Sequence, residues 1–325
     1  MRIGIDLGGT KIAGTVLDEA DQGLVARRVP TPIAGGYRAV IDAIVELVGW
    51  LEQTVGVRCA VGVGTPGQIS RRTGCIKNSN ATCLNDQPLE IDLERALGRS
   101  IRLANDAKCF TLSEAVDGAA ADYEVVFGVI LGTGVGGALS VNKRILPGRH
   151  GIAGEWGHIA LEASDLPCYC GRTGCVEMFL SGMGLLRGYR ALGGRAAQDA
   201  LGVARLAERG HDRLASQAVA SYTERLGRAL SFIVHIADPD AIVLGGGLSN
   251  MPALYRGAGR ALEPHVFNDL LDVPLLKHAH GDASGVRGAA MLWSADEAPA
   301  AGRKHAAAEP PERLRPAPLG RVESA

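Results

Sequence analysis

The chain has 325 residues, 46% of them hydrophobic, a formal net charge of -1 and seven cysteines. That length fits about two domains of ordinary size. The near-neutral balance removes the bulk attraction that nucleic acid or an anionic membrane would need, and the opening MRIGIDLGGTK has an acidic residue at position 6 and no long apolar core, so it does not read as a signal peptide.

Residues 3–7 and 12–18 (IGIDL and IAGTVLD) predict two strands joined by a GGTK turn. Over residues 37–55, Val40, Ile41, Ile44, Leu47, Val48, Leu51 and Val55 fall on one face of a helix. CAVGVGTPG predicts a strand that ends in a Pro-Gly turn. SIRLAND is a further strand, and AKCFTLSEAVDGA a helix after it. VVFGVILGTGVGGALSVN, starting at Val125, is uncharged, but its glycines break it into a hairpin rather than a membrane span. Helical patterns occupy 177–190 and 213–237; AIVLGGGLS is a strand running into a glycine turn, and SGVRGAAMLW a closing helix. From about 295 the chain turns to Ala, Pro and charge without aromatics, which predicts a disordered tail over 295–325. Strands alternating with helices make this an α/β chain.

LGGTKIAGTVLD at 7–18 can be laid over LGTGVGGALSVN at 131–142, an offset of 124 residues. Two similar halves, each opening on a Gly/Thr hairpin, would clamp a nucleotide between them. In the first turn, Gly8 and Gly9 let backbone N–H groups reach phosphate oxygens, Thr10 adds a hydroxyl, Lys11 adds a charge, and Asp6 is placed to hold magnesium. In the second, Thr133, Gly134, Gly136 and Gly137 are the counterparts. GTGVGG formally matches the dinucleotide fingerprint, but the strand-like ALSVN follows it where that fingerprint needs a helix. Gly246 and Gly247, after another strand, could let a flat adenosine lie against the backbone.

Asn105 and Asp106 fall where a strand ends and a helix begins. Phosphoryl transfer to a hydroxyl needs a base that takes its proton, and Asp106 is the candidate. Taken locally, an aspartate there reads more simply as an N-cap. GHIALEASDLPCYCGRTGC, ending at Cys175, holds His158, Cys168, Cys170 and Cys175, while Cys59, Cys75, Cys83 and Cys109 stand alone as core thiols. In a cytoplasmic chain a cysteine cluster favours metal over disulfide.

IGIDLGGTK, GTPG, NDA, LGTGVGG, GEWGH, CYCGRTGCVE and VLGGGLS, in this order, together resemble the ROK family of sugar kinases and repressors, over residues 3 to 293. The resemblance implies an actin-like ATPase (ribonuclease H-like) fold with two similar domains around a cleft. They would be 1–119 and 120–294, the second with a zinc-binding segment at 155–177 and a final helix at about 284–294 that packs back on the first. It implies ATP with Mg2+ as phosphoryl donor, a hexose phosphorylated at carbon 6, and Asp106 as catalytic base. Asn80, Asn105, Asp106, Glu155, His158 and Glu177 match the sugar-binding positions. His158, Cys168, Cys170 and Cys175 supply four ligands for a tetrahedral zinc with no open position, hence a structural one that braces Glu155 and Glu177. One ring nitrogen of His158 would meet zinc and the other the sugar.

KNSNATCLNDQPL, GEWGH and PCYCG look most like the fructokinase and mannokinase branch, so D-fructose is the expected sugar, with mannose second. N-acetylglucosamine and glucose kinases of the family are the alternatives. A sugar-sensing regulator is the alternative of another class, although the family's repressors carry a DNA-binding segment ahead of the sugar domain and here the phosphate loop begins at Asp6. A cytoplasmic homodimer, with neither membrane nor nucleic acid as partner, completes the expectation.

Overall fold

The computed structural model describes residues 1–297. The first half builds β1 (Arg2–Leu7), β2 (Lys11–Leu17), β3 (Gly23–Pro30), α1 (Gly36–Val55), β4 (Ala60–Thr65), the short β5 (Gln68–Ile69) and β6 (Ile76–Lys77), α2 (Leu89–Leu97), β7 (Ile101–Asn105) and α3 (Asp106–Val116). The second builds β8 (Val125–Leu131), β9 (Val135–Val141), β10 (Arg144–Ile145), α4 (Val176–Leu180), α5 (Gly182–Ala191), α6 (Ala200–Glu208), α7 (Arg213–Ala237), β11 (Ala241–Gly245), α8 (Pro252–Leu262), β12 (Leu275–Lys277) and α9 (Ser284–Ala290).

Two five-stranded sheets result, ordered β3-β2-β1-β4-β7 and β10-β9-β8-β11-β12. In each the first three strands pair antiparallel and the last two add in parallel. Strand for strand the sheets are one motif used twice, and β9 starts and ends 124 residues after β2, the offset of the sequence repeat. This is the actin-like α/β fold. The apolar stripe of α1 lies on the first sheet, with Val40, Ile41, Ile44, Leu47, Val48 and Leu51 all buried. On the second, α7 contributes Tyr222, Leu226, Leu230 and Ile233 to a core shared with α4, α5 and α8.

A division at 119/120 would leave α3 with the first half, but α3 packs on the second sheet. A Cβ at Gly128 of β8 would fall 2.0 Å from Thr111 Oγ1 of α3. Helix α9 makes the reverse exchange, since a Cβ at Gly4 of β1 would fall 1.9 Å from Val286 O. The two helices meet backbone to backbone where Gly288 lies against Cys109. The lobes are thus joined by a crossed helix pair, and the reason is steric: at these positions only glycine permits the approach. Glu114, fully buried at the end of α3, fastens the loop before α9 by accepting from Ala279 N–H at 2.8 Å and Ser284 Oγ–H at 2.7 Å.

The helical pattern at 177–190 is two helices. Ser181 ends α4 and caps α5, its Oγ accepting the Gly184 N–H at 3.2 Å. Sequence periodicity passed over β3, α2, α6, α8 and β12. Most of β3 is exposed, so it carries no apolar signature. The tail expected from 295 begins with placed residues, since Glu297 pairs with Arg102 at 2.7 Å; residues 298–325 lie outside the described residues. Among the described residues no helix is long and apolar enough to cross a membrane.

Candidate active site

The two Gly/Thr turns hold equivalent places in the two sheets, joining β1 to β2 and β8 to β9. The first is closed by Gly8 N–H donating to Lys11 O at 3.0 Å and by Thr31 Oγ–H donating to Gly8 O at 2.7 Å, which leaves Gly9, Thr10 and Lys11 exposed. In the second, Gly132 N–H donates to Gly134 O at 3.0 Å, and Thr133 is exposed at the tip. Gly246, at φ +81°, lies against the Leu131 backbone just before that tip. Gly136 and Gly137 are occupied differently from the sequence expectation. A Cβ on Gly137 would strike the Trp156 ring at 2.6 Å, and the Gly136 carbonyl accepts the Trp156 indole N–H at 2.9 Å. They seat a tryptophan beneath the turn, while Thr133 and Gly134 form its tip.

Asn105 is the N-cap of α3, its side chain accepting the Lys108 N–H at 3.0 Å. The capping role thus falls one residue before the aspartate, which frees Asp106. One Asp106 oxygen accepts the Ala107 N–H at 2.8 Å and the other is left for a substrate. Water reaches Asp106 on the cleft floor, but protein encloses it on its other sides. That enclosure pushes its carboxyl up to about 6, with Asp6 and Glu155 adding to the rise and the Ala107 N–H opposing it. Asp6, half-buried at the end of β1, is likewise raised by burial, with Lys11 and Arg28 pulling it back. A carboxylate at a strand end beside a glycine turn suits magnesium, which takes one or two protein carboxylates and completes its shell with phosphate and water.

On the other side of Asp106 stand the residues matched to sugar. Glu155 precedes a short 3-10 helix over Trp156–His158 and accepts a hydrogen bond from the Gln68 side-chain amide of the opposite lobe. Asn80 is exposed on a loop held by Asn85, whose Oδ1 accepts the Ser79 N–H at 2.9 Å. Glu177, in the first turn of α4, accepts the Val135 N–H at 3.0 Å, so it serves the second phosphate turn directly.

His158, Cys168, Cys170 and Cys175 bring their ligand atoms within 4.8 Å of one another. Cys170 and Cys175 sulfurs are 3.7 Å apart and unbonded, and Cys168 Sγ lies 3.5 Å from His158 Nδ1. Tetrahedral Zn–S bonds of about 2.3 Å would separate two sulfurs by about 3.8 Å, so the donor set fits zinc. The remaining His158 nitrogen, Nε2, is 2.9 Å from the Tyr169 hydroxyl, which stands where the sequence reading expected sugar. Three residues escaped that reading: Gln68, Lys108 and Tyr169. Only Lys108 left a signal, a charge inside an otherwise apolar helix opening.

Beyond Gly247 a cavity of about 810 Å³ opens between α6, α7 and α8, with Leu201, Val219 and Met251 among its walls. Asp106 is not among the residues that line it.

The ROK family profile matches residues 2–296. An N-acetyl-D-glucosamine kinase of Escherichia coli O139:H28 is 41% identical over 307 residues, covering 91% of this chain and 100% of the relative. One from Salmonella heidelberg is 40% identical with the same coverage. Among solved structures, the ROK hexokinase from Thermus thermophilus superposes with a TM-score of 0.80 at 34% identity, over 89% of this chain and 96% of that one. The ROK family glucokinase from Streptomyces griseus, in complex with glucose and AMPPNP, gives 0.75 at 27% identity, over 90% and 98%. Matched by the family profile over almost all the described residues and 41% identical to a sugar kinase covered in full, the chain belongs to the ROK family of sugar kinases.

Proposed function

We propose that the chain is a cytoplasmic ATP-dependent hexose kinase in which Asp106 is the general base, the reading carried by the free Asp106 oxygen between the two phosphate turns and the sugar-facing carboxylates. The hexose lies between Asn80, Asn105 and Glu155, with one hydroxyl on Asp106, and His158 acts from behind through the zinc cluster and Tyr169. The base accepts the hydroxyl proton as the sugar oxygen attacks the γ-phosphorus and the bond to the β-phosphate breaks, releasing ADP. The Gly8–Lys11 and Gly132–Gly134 turns hold the phosphates through N–H groups, with Thr10, Lys11 and Thr133 beside them. Adenosine extends past Gly246 and Gly247 into the cavity bounded by α6 and α8. Magnesium, held through Asp6, would neutralise phosphate charge. Zinc on His158, Cys168, Cys170 and Cys175 would fix Glu155 and Glu177 on either side of it.

For the sugar, the relatives favour N-acetyl-D-glucosamine over the D-fructose expected from the KNSN and GEWGH segments. Two kinases of that name match 91% of this chain, and are covered in full themselves, at 40–41% identity. Short segments around a pocket are weaker guides than likeness over a whole chain. ADP release should be followed with ATP and magnesium over N-acetylglucosamine, glucose, mannose and fructose. Highest kcat/KM on N-acetylglucosamine is expected. Preference for fructose or mannose would restore the first expectation, and no release with any sugar from zinc-loaded protein would overturn the kinase reading.

A further inference from the structure

Lys108 is a lysine in the wrong kind of place. It lies in the first turn of α3, two residues after Asp106, and only 6% of it is exposed. Burying an ammonium group costs free energy unless acceptors replace water. Here the acceptors come from both sides of the cleft. Lys108 Nζ donates to the carbonyl of Gly151 in the second half, and to Gln68 Oε1 of the first half at 3.4 Å. Gln68 in turn passes its amide N–H to Glu155. A single amide thus accepts from the lysine through its oxygen and donates to the sugar-side carboxylate through its nitrogen.

The orientation of Gln68 follows from this. An amide side chain can be turned either way round. With an ammonium on one side, only the oxygen can face it, so the NH₂ group must face Glu155. The lysine also holds Gly151, four residues before Glu155, and so fixes the segment that carries the carboxylate. Burial depresses the Lys108 ammonium and the charge of Glu155 opposes that fall, as expected for two groups close enough to interact. Lys108 Nζ spends its hydrogen bonds on Gln68 and Gly151, the two groups that hold Glu155 and its segment, so its action is directed at the sugar side.

We infer that Lys108 is a positioning residue for hexose binding: through Gln68 and the Gly151 carbonyl it sets the orientation of Glu155, and so governs affinity for sugar while leaving ATP binding and the chemical step alone. The inference rests on the sugar-kinase reading for the identity of the ligand.

The test is a double-mutant cycle of Lys108→Met, which keeps most of the stem and removes the charge, and Gln68→Leu. Each single variant is expected to raise the KM for the hexose about tenfold or more, with kcat and the KM for ATP within about twofold of wild type. The two effects should not multiply, because both substitutions break one relay. Hydrogen exchange over residues 147–155 gives a readout independent of turnover, and is expected to quicken in Lys108→Met while exchange in β1 and β4 is unchanged. An unchanged hexose KM, multiplying effects, or parallel losses in kcat and in ATP affinity would overturn the inference. Wild-type turnover in the same assays decides the kinase reading separately, whatever Lys108 does.

Discussion

Glu177 accepts the Val135 N–H at 3.0 Å, and this bond joins the cysteine segment to the second phosphate turn. The carboxylate also lies 2.7 Å from where a Cβ on Gly134 would stand, so the tip of the turn rests on it. A residue matched to sugar therefore also shapes the ATP side. Replacing it with alanine leaves a half-buried N–H without its partner, a loss of about 1–3 kcal/mol. Glu177→Ala is expected to raise the KM for ATP and for the hexose together. Glu177→Gln keeps a carbonyl for Val135 and should restore ATP affinity before sugar affinity. Steady-state kinetics with each substrate varied in turn checks this, and an ATP KM unmoved in the alanine variant would break the link.

As the proposed general base, Asp106 must be ionised to take a proton, and its carboxyl is raised to about 6 by its enclosure in the cleft. As pH falls through about 6 the base becomes protonated, so kcat/KM should drop toward tenfold per pH unit below that point. Asp106→Asn should lower kcat by about 10²–10⁴ at neutral pH, the usual worth of a positioned base, and flatten the acid limb. Stability moves the other way. A carboxyl raised in the folded state above its unfolded value stabilises the fold only while protonated, below about pH 4, and that contribution is lost as pH rises through about 6. At pH 7.5 the asparagine variant should therefore melt no lower than wild type. A clear fall in Tm with activity retained would assign Asp106 to the fold.

The duplicated hairpin, the aspartate that opens α3 and the His/Cys₃ cluster were legible because each is written locally, in spacing and residue type. The crossed helix pair is not local. Nothing in AKCFTLSEAV says which sheet it will cover, and that is decided by Gly128 elsewhere in the chain, as Gly4 decides it for α9. The same holds for Gln68 and Lys108, which meet only after the fold brings β5 beside α3. Gly136 and Gly137 sit in a phosphate-type turn by sequence, but Trp156 arrives from twenty residues away and claims them. Substrate identity was the weakest inference, because hexoses differ by single substituents that many local geometries can accept.

The four candidate ligands of the cysteine cluster differ in burial: Cys168 and Cys175 are buried, His158 and Cys170 half-buried. A zinc ion would tie the four into one unit. Purified protein should contain one zinc per chain by elemental analysis. Cys175→Ser should lose it, lower the Tm and weaken sugar binding, whereas Cys59→Ser, in the first core, should retain it. Full activity and unchanged Tm in metal-free protein would dismiss the structural zinc.

The last prediction concerns the joint between the lobes. A Cβ on Gly288 would lie 1.7 Å from the carbonyl oxygen of Cys109, a backbone atom that no rotamer change can remove. Gly288→Ala must therefore push α9 away from α3, and because these helices cover opposite sheets, separating them moves the phosphate turns apart. The expected cost is at or above the usual 1–3 kcal/mol of overpacking, and kcat should fall further than stability alone explains. Gly49 provides the control: it lies inside α1, and a Cβ there would meet nothing within 4 Å. Gly49→Ala should instead stabilise by about 0.5–1 kcal/mol through helix propensity, with kinetics unchanged. Denaturant unfolding and steady-state rates on the two variants compare a glycine needed for contact with one that is not. Equal effects would show that the helix crossing tolerates a methyl group, and that the lobes are held by something other than this approach.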